Sequence, residues 1–235
     1  MTQQTSSGRT GPVTSPAEMT RLALIRAALK LFGAKGYDGT STREIAAAAR
    51  ANIGSIAYHF GGKEGLRTAV ADHIVDTMQG IAQQAQVSAE PAPDARPDVI
   101  PPTPEEARAQ LRAALERMVG FMVAQPEAGE IVQFILRELS APTPTLARIY
   151  EGMFAPTHRR LCELWEAATG EPAESERTRL TIFTLIGQII YFRIGREPVM
   201  RRMDWNEIGA AEAAKVAAIA LDNLDAILDA RSRKP

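Results

Sequence analysis

Apolar positions recur along this chain at intervals of three and four residues, and no stretch alternates with period two over a useful length, so the sequence predicts an all-α protein. From Ala17 to Ala34, Leu22, Ile25, Ala28, Leu29 and Phe32 form one stripe. Leu66, Val70, Ile74, Met78 and Ile81 form another, on a long helix expected from about Lys63 to Gln86. Leu111, Leu115, Met118, Phe121 and Met122 mark a helix to about Gln125, and the next, opened by Pro126, is apolar on most sides except at Arg137 and Glu138. Leu161, Leu164 and Trp165 carry an apolar face as far as Gly170. Two long helices close the chain: one from near Ser175 to Gly195 with Leu180, Phe183, Leu185, Ile186, Ile189, Ile190 and Phe192, and one from about Trp205 to Asp229 with Ile208, Val216, Leu221, Leu224 and Leu228.

The boundaries are marked by polar residues and prolines. Ser41 with Glu44, Thr103 with Pro104 and Glu106, and Asp204 with Glu207 have the spacing at which a side-chain oxygen and a carboxylate cap the first donors of a helix. Thr143 and Pro144 open another helix, and Pro156 is expected to kink or break it, because proline supplies no backbone N–H. Residues 1–16 are rich in Ser, Thr, Gly and Pro and read as a disordered tail, and residues 87–103, with five prolines, read as an exposed loop. This gives a head over residues 17–66 and a helical body over residues 67–230.

Within the head, residues 41–63 read as a DNA-binding helix-turn-helix. A helix from Thr42 to about Ala49, lined by four small alanines, is followed by a turn at Arg50 and Ala51 and by a second helix capped by Asn52. Ile56 and Phe60 lie one turn apart and face inward. Asn52, Gly54, Ser55, Tyr58 and His59 are left outward, small or hydrogen-bonding and without apolar bulk, which suits entry into a major groove. Gly61 and Gly62 stop the helix, and Lys63 at the next helix start is placed to hold a phosphate. Asn52, Gly54 and Ser55 are expected near bases, Tyr58 and Lys63 at phosphates, Arg43 within reach of either, and Thr42, Ile53 and His59 on the same surface.

Phe32, Gly36-Tyr37, Thr40 to Ala46, Asn52 to Phe60 and Gly62 to Leu66 resemble the DNA-binding domain of TetR-family regulators, over roughly residues 20–68. The family usually has glycine where this chain has Arg50, at a turn that tends to need positive φ. In the body, residues 135–144 (ILRELSAPTP), Phe154 to Pro156, residues 187–193 (GQIIYFR) and Asp204-Trp205 resemble the ligand domain of the CecR-like subgroup. That resemblance implies a homodimeric regulator whose body senses a small molecule, often in connection with export of drugs or toxic compounds.

Charge and composition sharpen the reading. Residues 1–68 carry nine Lys/Arg against four Asp/Glu, net +5, so the rest of the chain, whose total is −1, carries −6. A basic head on an acidic body fits DNA binding by the head. One cysteine, Cys162, excludes an intrachain disulfide framework, and the three histidines (His59, His73, His158) show no metal-ligand spacing. No nucleophile elbow or phosphate-cradling loop appears, so neither catalysis nor a cofactor is expected. The absence of a spanning run or an apolar signal core leads to the expectation of a cytoplasmic protein.

Apolar walls with sparse polar groups make a ligand cavity. The candidates here are Met118, Phe121, Met122, Phe134, Phe154, Trp165 and Tyr191 as walls and Arg137, Glu138, His158, Gln188 and Arg193 as anchors. The competing reading makes the apolar members ordinary core and pairs Arg137 with an acid; the sequence leaves both open. The last two long helices have more apolar surface than one small bundle needs, which points to a four-helix interface with a second copy, with Ile189 central to it. The expected partners are therefore a palindromic double-stranded DNA operator, a small-molecule inducer and an identical subunit, with no membrane. The expected function is a one-component regulator, a repressor released by its ligand and tied to efflux or drug-resistance genes. The alternative is a DNA-bound adaptor or architectural protein controlled by a protein partner.

Overall fold

The computed structural model describes residues 15–84, 101–140 and 143–232. Most of the expected tail and of the proline-rich loop lie outside the described residues. Among the described residues there are α-helices, two π turns and no strand. The chain divides into two compact units after Val70.

In the first unit, α1 (Pro16–Lys35), α2 (Thr42–Ala48), α3 (Gly54–Phe60) and the start of α4 (Lys63–Gln84) enclose a small core. Leu24, Ile25, Ala28, Leu29 and Phe32 of α1 are buried with Ile45, Ala46, Ile56, Leu66 and Val70. The α1 stripe therefore braces α2 and α3. Thr40 is also buried, and its hydroxyl donates to the Gly36 carbonyl at 2.8 Å, which fixes the connection into α2.

The second unit holds α5 (Pro104–Val119), a π turn (Gly120–Ala124), α6 (Pro126–Ser140), α7 (Pro144–Ile149), a second π turn (Tyr150–Phe154), α8 (Ala155–Thr169), α9 (Glu176–Ile194), α10 (Arg196–Met203) and α11 (Ala210–Ser232). Thr103 and Glu106 form the reciprocal cap that opens α5. Leu111, Leu115, Val119, Leu164, Trp165, Ile182, Ile189, Val216, Leu224 and Leu228 make the main core from α5, α8, α9 and α11.

Three expectations change. Of the two outcomes expected at Pro156, a kink or a break, the break does not occur: α7, the π turn and α8 run without interruption from Pro144 to Thr169, and the helix is distorted only by the widened turn that ends at Phe154, two residues before the proline. Asp204 and Glu207 do not open the last helix. Asp204 instead takes a left-handed conformation (φ 54°) as the cap that ends α10, a short helix the apolar pattern does not announce. The last helix starts at Ala210, where Glu212 accepts from the Gly209 N–H. Finally, Ile189 is fully buried in the body core, so it does not stand on an outer face of α9. The side chains that do stand out from α9 and α11 are Leu180, Phe183, Tyr191, Ile194 and Ile219.

Candidate nucleic-acid interface

The helix-turn-helix is built by local hydrogen bonds. Ser41 Oγ accepts from the Glu44 N–H at 3.2 Å while Glu44 Oε2 accepts from the Ser41 N–H at 2.8 Å, a complete capping box. Lys35 donates to the other Glu44 oxygen at 2.8 Å. Held by Lys35 first and then by Ser41, the Glu44 carboxyl is pushed down to about 2.

Arg50 makes the turn with φ 52°, the left-handed conformation that glycine adopts freely and arginine adopts at a cost of roughly 1 kcal/mol. The Ala51 N–H closes the turn onto the Ala46 carbonyl at 2.9 Å. Asn52 follows, and its Oδ1 accepts from the Gly54 N–H at 2.8 Å; the helix proper begins at Gly54, two residues after Asn52. Gly61 (φ 71°) then ends it.

On α3, Ile56 is buried and Phe60 half-buried, the latter beneath the Arg21 guanidinium. The outward surface is formed by Asn52, Gly54, Tyr58, which is 82% exposed, and Ile53, which is 50% exposed. Ser55 and His59 are half-buried at its margins, and the His59 ring sits edge-on to Tyr58 at 4.9 Å. Thr42 is half-buried and Arg43 exposed at the start of α2. The structure thus places Gly54, Ser55, Tyr58 and His59 on α3, Asn52 and Ile53 directly before it, Thr42 and Arg43 in the first turn of α2, and Lys63 at the start of α4.

Lys63 is more constrained than the sequence indicates. Its ammonium donates to the Tyr37 carbonyl at 2.6 Å and lies 4.2 Å from the Tyr37 ring centre, with Arg67 at 4.5 Å from the same ring. Burial, together with a hydrogen bond to Glu64, pushes the Tyr37 hydroxyl pKa up. Two positioning residues escape a reading of the sequence. Tyr37 ties the start of α4 to the α1–α2 connection, and Gly65 admits the end of α3, since a Cβ there would lie 1.9 Å from the Phe60 carbonyl oxygen. The available signal for Gly65 is a glycine in the first turn of a helix, a residue that costs helix stability without a packing reason.

Residues 24–70 match the model of bacterial regulatory proteins of the tetR family, and residues 107–231 match the C-terminal domain of the HTH-type transcriptional dual regulator CecR. The chain belongs to the TetR family, in its CecR-type branch. It is 33% identical over 230 residues to the HTH-type transcriptional dual regulator CecR of Shigella flexneri, across 94% of this chain and 97% of that protein. The HTH-type transcriptional repressor NicS of Pseudomonas putida is 36% identical over 66 residues, 28% of this chain and 31% of that protein. Among solved structures, AibR in complex with isovaleryl coenzyme A and operator DNA shares the fold with a TM-score of 0.61 at 18% identity, covering 86% of this chain and 96% of that one. HlyIIR, a hemolysin II transcriptional regulator, does so at 0.53 and 21%, covering 93% and 99%. This TetR-family member is a DNA-binding transcriptional regulator and not an enzyme. No helix among its described residues is long and apolar enough to cross a membrane.

In the body of this CecR-type regulator, the twelve residues considered for ligand binding do not converge on one cavity. A small, partly open apolar space of about 40 Å³ is bordered by residues including Leu111, Met118, Leu161, Leu185 and Leu224, and of the twelve Met118 borders it. Phe134 and Trp165 are buried, and Trp165 Nε1 donates to Glu171 at 3.0 Å. Met122 is half-buried and packs against the main core, and Phe121 is also half-buried. Phe154 and Tyr191 are exposed. Arg137 is exposed as well, whereas Glu138 beside it is 3% exposed and accepts from the Thr143 hydroxyl at 2.5 Å. His158 stacks on Phe183 at 4.0 Å, its Nε2 3.2 Å from the Arg179 carbonyl oxygen. Gln188 accepts from Asn223 of α11 at 3.1 Å. Arg193 donates to the carbonyls of Met122 and Gln125, both at 2.6 Å, so it caps the first π turn; burial and the neighbouring Arg196 lower its pKa.

Proposed function

We propose that this regulator is a homodimeric repressor that holds a palindromic operator through two copies of α3 and is released by a small molecule bound in its body. The carrying observation is the outer surface of α3 and the turn leading into it, where Asn52, Ile53, Gly54 and Tyr58 are exposed together beside a helix braced by α1. Such a surface fits a major groove, and two of them on a palindrome would sit about 34–36 Å apart. Thr42, Arg43, Ser55, His59 and Lys63 complete the proposed contact set. The dimer reading draws on Leu180, Phe183, Tyr191, Ile194 and Ile219, which are large apolar side chains standing out from α9 and α11.

The inducer is proposed to enter between α5, α8 and α9 at the small apolar space beside Met118, whose flexible thioether can move aside. AibR, which shares the fold, is in complex with both isovaleryl coenzyme A and operator DNA in one structure, and this supports reading the chain as a regulator that takes a small molecule. Control of efflux or drug-resistance genes is the target assignment that the CecR-like resemblance implies. A hundredfold loss of DNA affinity on induction needs about 2.7 kcal/mol of coupling between the two sites.

One observation favours the second reading, an adaptor answering to a protein partner. A cavity of about 40 Å³ is well below the roughly 300 Å³ at which ligand pockets begin. Selection of binding sites from genomic DNA, followed by operator binding and melting measurements across a panel of amphipathic toxic compounds, separates the two. A compound that raises the melting temperature and releases a palindromic operator supports the repressor. A palindrome bound with undiminished affinity throughout the panel, together with a protein that strips it, supports the adaptor.

A further inference from the structure

We infer that Arg50, the residue that forms the strained turn between α2 and α3, is a phosphate-binding residue of the DNA interface. The inference rests on the DNA-binding reading of the head. Residues 41–60 contain two permanent cations, Arg43 and Arg50. The other basic residues near this motif are engaged: Lys35 with Glu44, Lys63 with the Tyr37 carbonyl, Arg67 over the Tyr37 ring, and Arg21 over the Phe60 ring. Arg50 is exposed, and its guanidinium forms no hydrogen bond or ion pair among the described residues. It stands two residues before Asn52, which places its Cα within about 7 Å of the first residue of the reading surface.

Backbone conformation supplies the second line of argument. At φ 52°, a residue without Cβ would be more stable, and the long side chain has no packing role that repays the strain, because it points to solvent. Strain of this kind is retained where it serves function. A flexible, always-charged fork beside a groove-entering helix is suited to a phosphate oxygen. It neutralises charge without reading sequence.

The test uses the full chain and a random-sequence DNA duplex of about 30 base pairs, long enough for two heads one helical turn apart. Fluorescence anisotropy across a potassium chloride series gives the slope of log affinity against log salt. Wild type is compared with Arg50→Gly, Arg50→Gln and Arg50→Lys. Arg50→Gly is expected to melt roughly 2–4 °C higher yet bind more weakly, with the slope reduced by about 0.9 per head. Arg50→Gln should lose the same slope without the gain in melting temperature, and Arg50→Lys should keep the slope. Unchanged slopes in Arg50→Gly and Arg50→Gln, with wild type binding normally, would overturn the role of Arg50 alone. Failure of wild type to bind at low salt would overturn the DNA-binding reading of the head as well.

Discussion

Gly152 and Val75 meet so closely that a Cβ on Gly152 would lie 2.9 Å from both methyl carbons of Val75. Around this contact Gln79 donates to the Gly152 carbonyl at 3.3 Å, and Arg148 forms an ion pair with Asp72. The later part of α4 is therefore seated on the second π turn through a glycine, and a β-branched side chain, stiff at χ1 in a helix, fills the space opposite.

Gly152→Ala should destabilise the body by about 1–3 kcal/mol, as forced overpacking does. Because the clash is with Val75, the double variant with Val75→Ala should recover part of that loss. Urea unfolding of the two single variants and the double variant forms a cycle, and strict additivity would show that the contact is not tight.

Gly65→Ala and Tyr58→Ala should both weaken operator binding but by different routes. Gly65→Ala pushes the end of α3 off α4 and should lower the melting temperature together with affinity. Tyr58→Ala removes an exposed ring and should change stability by no more than about 0.5 kcal/mol while affinity falls. Parallel melting and binding curves distinguish them; a Tyr58→Ala protein with normal affinity would remove that residue from the interface.

Glu44 gives the head an acid-sensitive cap. Its carboxyl titrates at about 2 in the folded chain against an ordinary value of 4.5, chiefly through Lys35 and then Ser41. Its contribution is complete above the ordinary value, declines as pH falls, and is gone below about 2. The melting-temperature gap between wild type and Glu44→Gln should therefore be constant near neutrality and close between about 4.5 and 2. A gap independent of pH over that interval would assign the effect to shape rather than charge.

Ile219→Glu puts a charge on the outer face of α11 without touching the core. It should yield monomers at micromolar concentration with nearly unchanged melting of the isolated fold, whereas Ile189→Glu, aimed at a buried position, should unfold the body. Sedimentation analysis of Ile219→Glu checks the first outcome, and a persistent dimer would move the interface elsewhere.

Most of the helices could be read from the sequence because their signals are local. Ser41 with Glu44 and Thr103 with Glu106 cap as their spacing indicates, Gly170 and Gly195 end their helices, and the α1 stripe is buried from Ile25 to Phe32, with Leu24 buried in place of the half-buried Leu22. What escaped depends on distant partners or on a choice between two local options. The first π turn is capped by Arg193, about seventy residues away, through carbonyls no local pattern can assign. Asp204 can start a helix or end one, and the preceding segment from Arg196 to Met203 decided for the end. The ligand candidates scattered because apolar residues on adjacent helices look alike whether they wall a cavity or fill it. Trp165 fills it, and Met118 borders the little that remains.

The π turn at Tyr150–Phe154 carries one residue more than an α-helical path would need, and successive α-helical residues stand about 100° apart around the axis. The extra residue acts as a phase shift. It lets Arg148 and Gly152 address α4 while Leu164 and Trp165, farther along the same continuous helix, address the body core. Removing a single residue from this turn would leave the rod almost as long but wind everything beyond it by about a quarter of a revolution, carrying Trp165 toward water. In this segment a change of length by one residue amounts to a change of direction.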